Sequence, residues 1–341
     1  MAVICEVVIC LVISRAGKTK EYLSGYAGNI QHHNPWVERI EYQETYTDDK
    51  GETHTRTKVR YVTHPDRWLM ELNTGRVTEI SSGTYDNFCE LWNTPMRVIW
   101  PPHVNCVSGG GGQLYVWDGV YENALTETYK GLYKNYISNS NSIFRTRKVT
   151  RKIAEQEGLI SYPSFSLFKL EQDVVLISPK LGKDFSLPQS VQRKFQLFNA
   201  FNGQKRQIHV FLLLFDGNES LETSMRQRDW WRGGNKNEFT ICLGIVPADV
   251  GGQYVVKWCK PFSWCDIPRM ETSLESWYIA NPGLDFDALV SWLQDNADLW
   301  KRKEFKDFKY LGTKLSTGMN IFVTLLSLAL CALMCYIAVN L

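Results

Sequence analysis

QIHVFLLLF, which occupies residues 207–215, is an almost wholly apolar run with the length of one β-strand. A strand of this composition suits the centre of a sheet that is covered on both faces. One helix is predicted before it, opened by Pro188 and ended by Gly203. A second helix is predicted after it, running from about residue 218 to Trp231, where two glycines stop it.

The remaining predicted elements describe an α+β fold. Two more strands and two more helices are predicted downstream, over 239–245, 254–259, 268–279 and 286–301. Together these elements form a sheet with helices packed on it, which we assign to an α/β domain over residues 159–300. Residues 1–158 are predicted to be β-rich, because two alternating runs, 37–46 and 53–62, flank an acidic turn with glycine.

The C-terminal residues 319–341 read MNIFVTLLSLALCALMCYIAVNL and contain no charged side chain. About twenty apolar residues in a helix span the roughly 30 Å hydrocarbon core of a bilayer. The alternative is a buried core helix, which rarely runs this long without a polar face. A basic segment, 301–318, precedes the span, and such residues stay on the cytoplasmic side. Since almost nothing follows the span, we expect a tail-anchored, single-pass protein, inserted after translation, with its N-terminal domain cytoplasmic.

The first residues of the chain leave a choice that affects this orientation. Residues 3–13, VICEVVICLVI, are apolar apart from Glu6, and we interpret them as a buried strand. The alternative is a degenerate signal peptide, which would place the domain outside. Nine cysteines without a CxxC pair predict reduced, mostly buried thiols, which fits the cytosolic assignment. The net charge of +2 gives no expectation of specific nucleic-acid binding.

The sequence WWRGGNKNE, residues 230–238, is the strongest candidate for a ligand-binding site. Its glycines allow the backbone to approach a ligand, and polar side chains crowd a predicted sheet edge. The alternative is a helix C-cap followed by a solvated turn. A phosphate-binding P-loop is excluded because its pattern is absent. The candidate ligand-binding residues are Trp231, Asn235, Lys236, Asn237, Glu238 and Asp216.

Histidines cluster in the N-terminal half beside several carboxylates, and these two groups together can ligate a divalent metal. We therefore consider a metal site at His32, His33 and His64. The alternative is that these histidines lie on strand surfaces or are hydrogen-bonded in the core. We expect His209, in the predicted central strand, to be a hydrogen-bonded core residue.

Two basic segments can meet phosphate groups of lipid or RNA, and tethering to a membrane favours lipid. The candidate lipid- or anion-binding residues are Arg145, Arg147, Lys148, Arg151, Lys152, Lys301, Arg302, Lys303 and Lys306. The alternative is a solvated surface without a ligand.

The succession QIHVFLLLF, SLETSMRQRDWWRGGNKNEF and TICLGI resembles the TPM domain, found in membrane-anchored proteins such as thylakoid and bacterial TPM phosphatases. The resemblance covers residues 191–296, and a membrane helix after the domain also suits that family. It implies a metal-dependent phosphatase in which Asp216 and Asn237 match acidic metal-binding loops. The chain departs from the family at Glu238, where the family has glycine, and at CKPFSWCD, where the family has a glycine-rich turn.

The chain also resembles tail-anchored proteins of phages and bacteria in WWRGGNKNEF and KEFKDFKYL. Fold-level similarity does not by itself carry an activity. We therefore expect a cytosolic interaction or scaffold domain held at a lipid bilayer, with other proteins as partners. The alternatives are a membrane-tethered, metal-dependent hydrolase and a component of a phage or viral membrane structure.

Overall fold

A computed structural model describes most of the chain: residues 18–92, 95–98, 105–134, 148–166, 169–182, 185–248, 253–265, 267–303 and 317–340. The described residues form fourteen strands and seven helices, and the predicted α+β class is confirmed. The chain divides into two compact units, one of residues 25–127 and the other of residues 1–24 with 128–341. The strand predicted over 3–13 lies outside the described residues, and the domain limits at 158 and 300 stay predictions.

The first part of the chain is β-rich. Its elements are β1 (Lys18–His33), β2 (Trp36–Thr47), β3 (Thr53–His64), β4 (Arg67–Leu72), β5 (Val77–Glu79), α1 (Ser82–Leu91), β6 (Pro95–Val98), β7 (Cys106–Gly109), β8 (Gly112–Val116) and β9 (Thr126–Lys134). One sheet has the strand order β5-β4-β1-β8-β6, with β9 also paired to β1. A three-stranded sheet has the order β3-β2-β7, so the predicted hairpin is present and β3 lies at its edge.

The second part of the chain contains a mixed sheet with helices. Its elements are α2 (Arg151–Glu157), β10 (Val175–Ile177), α3 (Gln189–Arg206), β11 (His209–Asp216), α4 (Glu222–Trp231), β12 (Glu238–Pro247), β13 (Tyr254–Cys259), β14 (Phe262–Ser263), α5 (Pro268–Ala280), α6 (Phe286–Asp295) and α7 (Thr317–Asn340). The strand order is β10-β11-β12-β13, with β14 paired to β12. Strands β10, β11 and β12 are parallel, and β13 is antiparallel to β12.

Strand β11 is the centre of the hydrophobic core, as its composition predicts. Each residue from 209 to 215 is at most 1% exposed, and β11 has a parallel neighbour on each side. Helix α3 adds two side chains that bond to strand backbone. Asn199 exchanges two hydrogen bonds with the backbone of Val210, and Gln192 bonds the backbone of Val175 in the edge strand β10. The two side-chain amides thus form hydrogen bonds with backbone N–H and C=O groups that no neighbouring strand pairs with.

The last predicted helix of this unit, over 286–301, is shorter than the apolar pattern indicated. Helix α6 begins after the N-cap Asp285, whose Oδ1 accepts the backbone N–H groups of Asp287 and Ala288. It ends at Asp295: the last i→i−4 bond runs from the Asn296 N–H to the Trp292 carbonyl, which also accepts the Asn296 side-chain amide, and the next bond, from the Leu299 N–H to the Asn296 carbonyl, is of the i→i−3 type. A short 3-10 turn, Ala297–Leu299, follows.

Candidate functional site

The loop between α4 and β12 is the region with the strongest prediction of ligand binding. Arg232, Gly233 and Gly234 adopt left-handed conformations with φ of 54°, 82° and 75°, which end α4 as a C-cap requires. The solvated turn expected after this cap is wrong. Lys236 is 3% exposed, and both Asn237 and Glu238 are fully buried.

Glu238 accepts most of the hydrogen bonds in this loop. Its Oε2 accepts the backbone N–H of Asn235 at 2.8 Å, and its Oε1 accepts Nδ2 of the same residue at 2.8 Å. The Tyr162 hydroxyl also donates to Oε1 of Glu238. Burial raises the pKa of the Glu238 carboxyl, and these hydrogen bonds oppose the rise. The Trp231 ring packs edge-on against Tyr162, with the ring centroids 5.0 Å apart. The fold therefore brings three of the predicted residues together around Tyr162.

Lys236 points into a second buried group, which contains an ion pair between Glu21 and Arg302. Nη2 of Arg302 lies 2.8 Å from Oε2 of Glu21, and the two side chains are 5% and 1% exposed. Nζ of Lys236 lies 5.0 Å from the centroid of the Trp264 ring, at cation–π distance. Burial lowers the pKa of Lys236 to about 8, while the Glu21 charge opposes this shift. Burial raises the pKa of Glu21, and Arg302 opposes that rise.

Asn237 joins this loop to β1 and to the start of β11. Its Nδ2 donates to the Tyr22 carbonyl at 2.6 Å, and its own carbonyl accepts the backbone N–H of His209 at 2.7 Å. The His209 ring stacks on Tyr22 with centroids 5.7 Å apart. His209 is buried as predicted, but neither ring nitrogen has a hydrogen-bond partner among the described residues, so the expectation of a hydrogen-bonded histidine is wrong. Burial lowers the pKa of His209 to about 3.

Asp216 lies at the other end of β11. His209 pairs in register with Glu238, whereas Asp216 pairs with Ile245, seven residues further along. At about 3.3 Å per residue, roughly 23 Å of strand separate Asp216 from the loop. Asp216 caps its own turn by accepting the backbone N–H of Asn218 at 2.9 Å. The described strands also run in the order β10-β11-β12-β13, without the reversal at which open α/β sheets usually bind ligands.

The three histidines considered as metal ligands are not brought together. Nε2 of His32 lies 2.8 Å from Asp66, Nε2 of His33 lies 2.9 Å from the Gln31 amide oxygen, and Nε2 of His64 lies 2.9 Å from Glu38. His32 and His33 are consecutive on β1 and therefore point to opposite faces of the sheet. His64 belongs to the separate sheet with the order β3-β2-β7.

Among the described residues, the side chains close enough to share one metal ion are Asp48, Glu52 and His54, in the turn after β2. Asp48 already caps this turn, because its Oδ1 accepts the backbone N–H groups of Lys50 and Glu52. These hydrogen bonds, together with His54, hold the pKa of Asp48 below its usual value. These hydrogen bonds within the turn therefore account for the closeness of the three side chains without a metal ion.

The predicted anion-binding residues do not form one surface. Lys148, Arg151 and Lys152 are exposed at the start of α2, whereas Arg145, Arg147 and Lys306 lie outside the described residues. Lys301 is exposed and Lys303 is half-buried. Arg302 is buried with Glu21, so its guanidinium is not available to lipid headgroups at the surface.

The hairpin of β2 and β3 carries a surface that we did not predict as a site. Both strands have twelve residues, paired without interruption from Trp36 with His64 to Thr47 with Thr53. Strand β3, THTRTKVRYVTH, contains three Lys or Arg residues and no Asp or Glu. The sequence already indicated such a surface, because this long alternating run contains basic residues and no acidic residue. The even-numbered side chains, among them Arg56, Lys58 and Arg60, share one face.

Helix α7 is long and apolar enough to cross a membrane. Its segment Asn320–Val339 has a mean hydropathy of 2.5, and none of it is buried inside the protein. The hydroxyl of Thr324 donates to the Asn320 carbonyl at 2.8 Å, and that of Ser327 donates to the Val323 carbonyl at 2.8 Å. The polar groups of these two side chains are thus satisfied within the helix, as a bilayer interior requires.

Comparison with protein-family models, with curated proteins and with solved structures gives no match for this chain. The protein belongs to the α+β class and has, within the described residues, one C-terminal helix of membrane-spanning length and composition. The resemblance to the TPM domain stays a prediction.

Proposed function

We propose that this chain is a single-pass, tail-anchored membrane protein whose N-terminal domain lies in the cytosol and binds another protein. The observation that carries the proposal is the unburied apolar surface of α7. Its exposed large apolar side chains are Ile321, Phe322, Leu325, Leu328, Leu333, Tyr336 and Val339. Apolar surface on this scale is unfavourable in water and favourable in lipid. Twenty residues at 1.5 Å each match the roughly 30 Å hydrocarbon core.

The charges that precede α7 support a cytosolic domain. Basic residues within about 20 residues of a span favour the cytoplasmic side. Besides the ion-paired Arg302, the chain has five lysines in this interval: Lys301, Lys303, Lys306, Lys309 and Lys314.

Binding of a protein is better supported than hydrolysis. A hydrolase needs its polar groups to converge at a place that substrate can reach. Here Glu238 and Lys236 are buried and engaged by neighbouring side chains, and Asp216 lies at the opposite end of β11. Exposed side chains are instead concentrated on the β2–β3 hairpin, including Tyr61, which is 65% exposed. A surface of this kind suits contact with another macromolecule.

The membrane part of the proposal can be tested with the full chain synthesised in the presence of liposomes. We expect the chain to float with the liposomes and to stay with them after a carbonate wash. Leu325→Arg with Leu328→Arg places two charges within the span, and a charge at the centre of a span costs about 2.5–3.5 kcal/mol on an insertion scale. This variant is expected to wash off.

Leu325→Phe with Leu328→Phe is the matched control, since it changes the same positions but keeps them apolar, and it should remain in the membrane. Protease added outside the liposomes should digest the N-terminal domain and leave a short C-terminal fragment. Release of the wild-type chain by carbonate would contradict the anchor, and full protection of the domain would contradict the orientation.

A further inference from the structure

We infer that the outer edge of β3 is a docking site for an extended acidic segment of a partner protein, which joins the sheet as an additional strand. This inference rests on the proposed interaction role of the domain. It follows from two observations on the hairpin: the direction of the backbone groups in β3, and the sign and spacing of its charges.

The backbone of β3 presents one row of N–H and C=O groups away from β2. Tyr61 of β3 lies opposite Arg39 of β2. The Arg39 N–H donates to the Asn105 carbonyl at 2.8 Å, on the β7 side, so Arg39 and Tyr61 form a pair without hydrogen bonds. Antiparallel pairs alternate between bonded and non-bonded, so the even-numbered residues of β3 bond β2 and the odd-numbered ones point outward. The turn shows the same alternation: the Asp48 N–H donates to the Glu52 carbonyl at 2.9 Å, so this even-numbered pair is hydrogen-bonded.

The outward row belongs to Thr53, Thr55, Thr57, Val59, Tyr61 and Thr63. Among the described residues, the only strand that pairs with β3 is β2. Six residues with outward N–H and C=O groups extend over about 33 Å of edge. A row of this kind is a template for another strand.

The charges on β3 select the chemistry of that strand. Arg56 and Lys58 share the carboxylate of Glu44, at 2.6 Å and 2.7 Å. Arg60 projects from the same face and has no acidic partner within the part of the chain that the structure describes. Glu38, which bonds His64, also lies on this face, so three cations and two carboxylates leave an excess of one positive charge, and all three cations stand on the strand that forms the edge. An added strand with Glu or Asp at alternate positions would place its carboxylates directly beside these cations, where opposite charges stabilise cross-strand pairs.

The opposite face of the same edge favours alternating apolar or threonine residues in the partner. Val59 and Tyr61 are 40% and 65% exposed, and Thr57 and Thr63 flank them. The recognised segment is therefore an extended peptide that alternates acidic residues with threonine or valine. Its affinity comes from the backbone pairing, and its specificity comes from the alternate side chains.

Two other occupants fit less well. A second copy of β3 would bring Arg56, Lys58 and Arg60 beside the same cations of its partner, and like charges directly opposite are destabilising. A nucleic acid would neutralise the cations but would leave the outward carbonyls of β3 without donors.

The test uses the full chain in nanodiscs of phosphatidylcholine and the fluorescein-labelled peptide Thr-Glu-Val-Glu-Thr-Glu-Val as the probe. Fluorescence polarisation should report saturable binding to the wild type. Thr57→Pro removes one outward N–H and leaves the bonds to β2 in place, so binding should weaken at least about tenfold. Thr57→Val is the matched control, because it keeps the N–H, and its Kd should stay within about twofold of the wild type.

A charge exchange tests the selectivity for an acidic strand. Arg60→Glu should weaken binding of the glutamate peptide by about tenfold and should improve binding of a peptide with lysine at the same positions. ¹⁵N-threonine labelling adds a readout that does not depend on variants. Amide exchange at Thr55 and Thr57 should slow when the peptide is added, while exchange at Thr45, on the far edge of β2, should not.

The docking edge is overturned if the wild type does not bind the peptide or if Thr57→Pro binds as well as Thr57→Val. It is also overturned if a dodecamer of deoxythymidine binds more tightly than the glutamate peptide. Tryptophan fluorescence spectra identical to that of the wild type establish that each variant is folded. Carbonate resistance, measured on the same samples, reports separately on the membrane anchor, so loss of peptide binding is distinguishable from failure of the proposed tether.

Discussion

Glu21→Ala is expected to lower the free energy of unfolding by about 3–5 kcal/mol, the usual effect of removing one partner of a buried ion pair. The substitution leaves the Arg302 guanidinium buried without its carboxylate, and Lys236 nearby loses the same stabilising charge. The measurement is urea unfolding of the full chain in detergent micelles, followed by tryptophan fluorescence.

Two further variants separate this effect from a general loss of side-chain volume. Glu21→Leu with Arg302→Met removes both charges and fills similar space, so it should recover a large part of the lost stability. Glu155→Ala breaks the Arg151–Glu155 pair, whose side chains are 87% and 63% exposed, and should change stability little. A loss for Glu21→Ala as small as that for Glu155→Ala would refute the structural role of the buried pair.

The second large effect is a dependence of stability on pH that comes from His209. Burial lowers the pKa of His209 to about 3 in the folded chain, from 6.5 for a solvated imidazole. Below pH 6.5 the unfolded chain binds this proton and the folded chain does not, so stability falls as the pH falls from 6.5 towards 3. Between pH 7 and pH 5 the loss from this one group is about 2 kcal/mol.

His209→Leu should abolish that part of the acid sensitivity, because leucine cannot take up a proton in either state. The check is the difference between the unfolding free energies of wild type and variant, measured at pH 7 and at pH 5 in the same detergent. The variant should gain about 2 kcal/mol relative to the wild type over this interval. At pH 7 it also removes two buried ring nitrogens that have no partner among the described residues, which offsets the lost stacking on Tyr22. Parallel pH profiles would show that His209 is hydrated in the folded chain.

The elements that could be predicted are those set by short-range pattern. Strand β11 follows from nine consecutive, almost wholly apolar residues, and the β2–β3 hairpin follows from two alternating runs around a turn. The end of α4 follows from Gly233 and Gly234, which readily adopt positive φ. The end of α6 could not be predicted, because the apolar pattern continues to Trp300 although the backbone changes to the 3-10 turn Ala297–Leu299 after Asp295.

The candidate site shows where such patterns fail. The sequence NKNE looks like a solvated turn, yet Asn237 bonds the carbonyl of a residue 215 positions earlier. Arg302 belongs to the basic segment 301–318 that precedes the span, yet it pairs with Glu21, 281 positions earlier. Burial of a polar residue depends on which distant side chains meet it, and nothing within the local sequence specifies those partners.

Local composition is sufficient for α7, for β11 and for the alternation of the hairpin, since each depends on side chains a few residues apart and on their transfer out of water. Long-range packing is needed for the burial of Lys236 and Glu238, for the separation of Asp216 from them, and for the edge of β3 that faces away from β2. Those features depend on contacts between chain segments far apart in the sequence. Such contacts form where their hydrogen bonds and buried surface outweigh the entropy lost on ordering the chain.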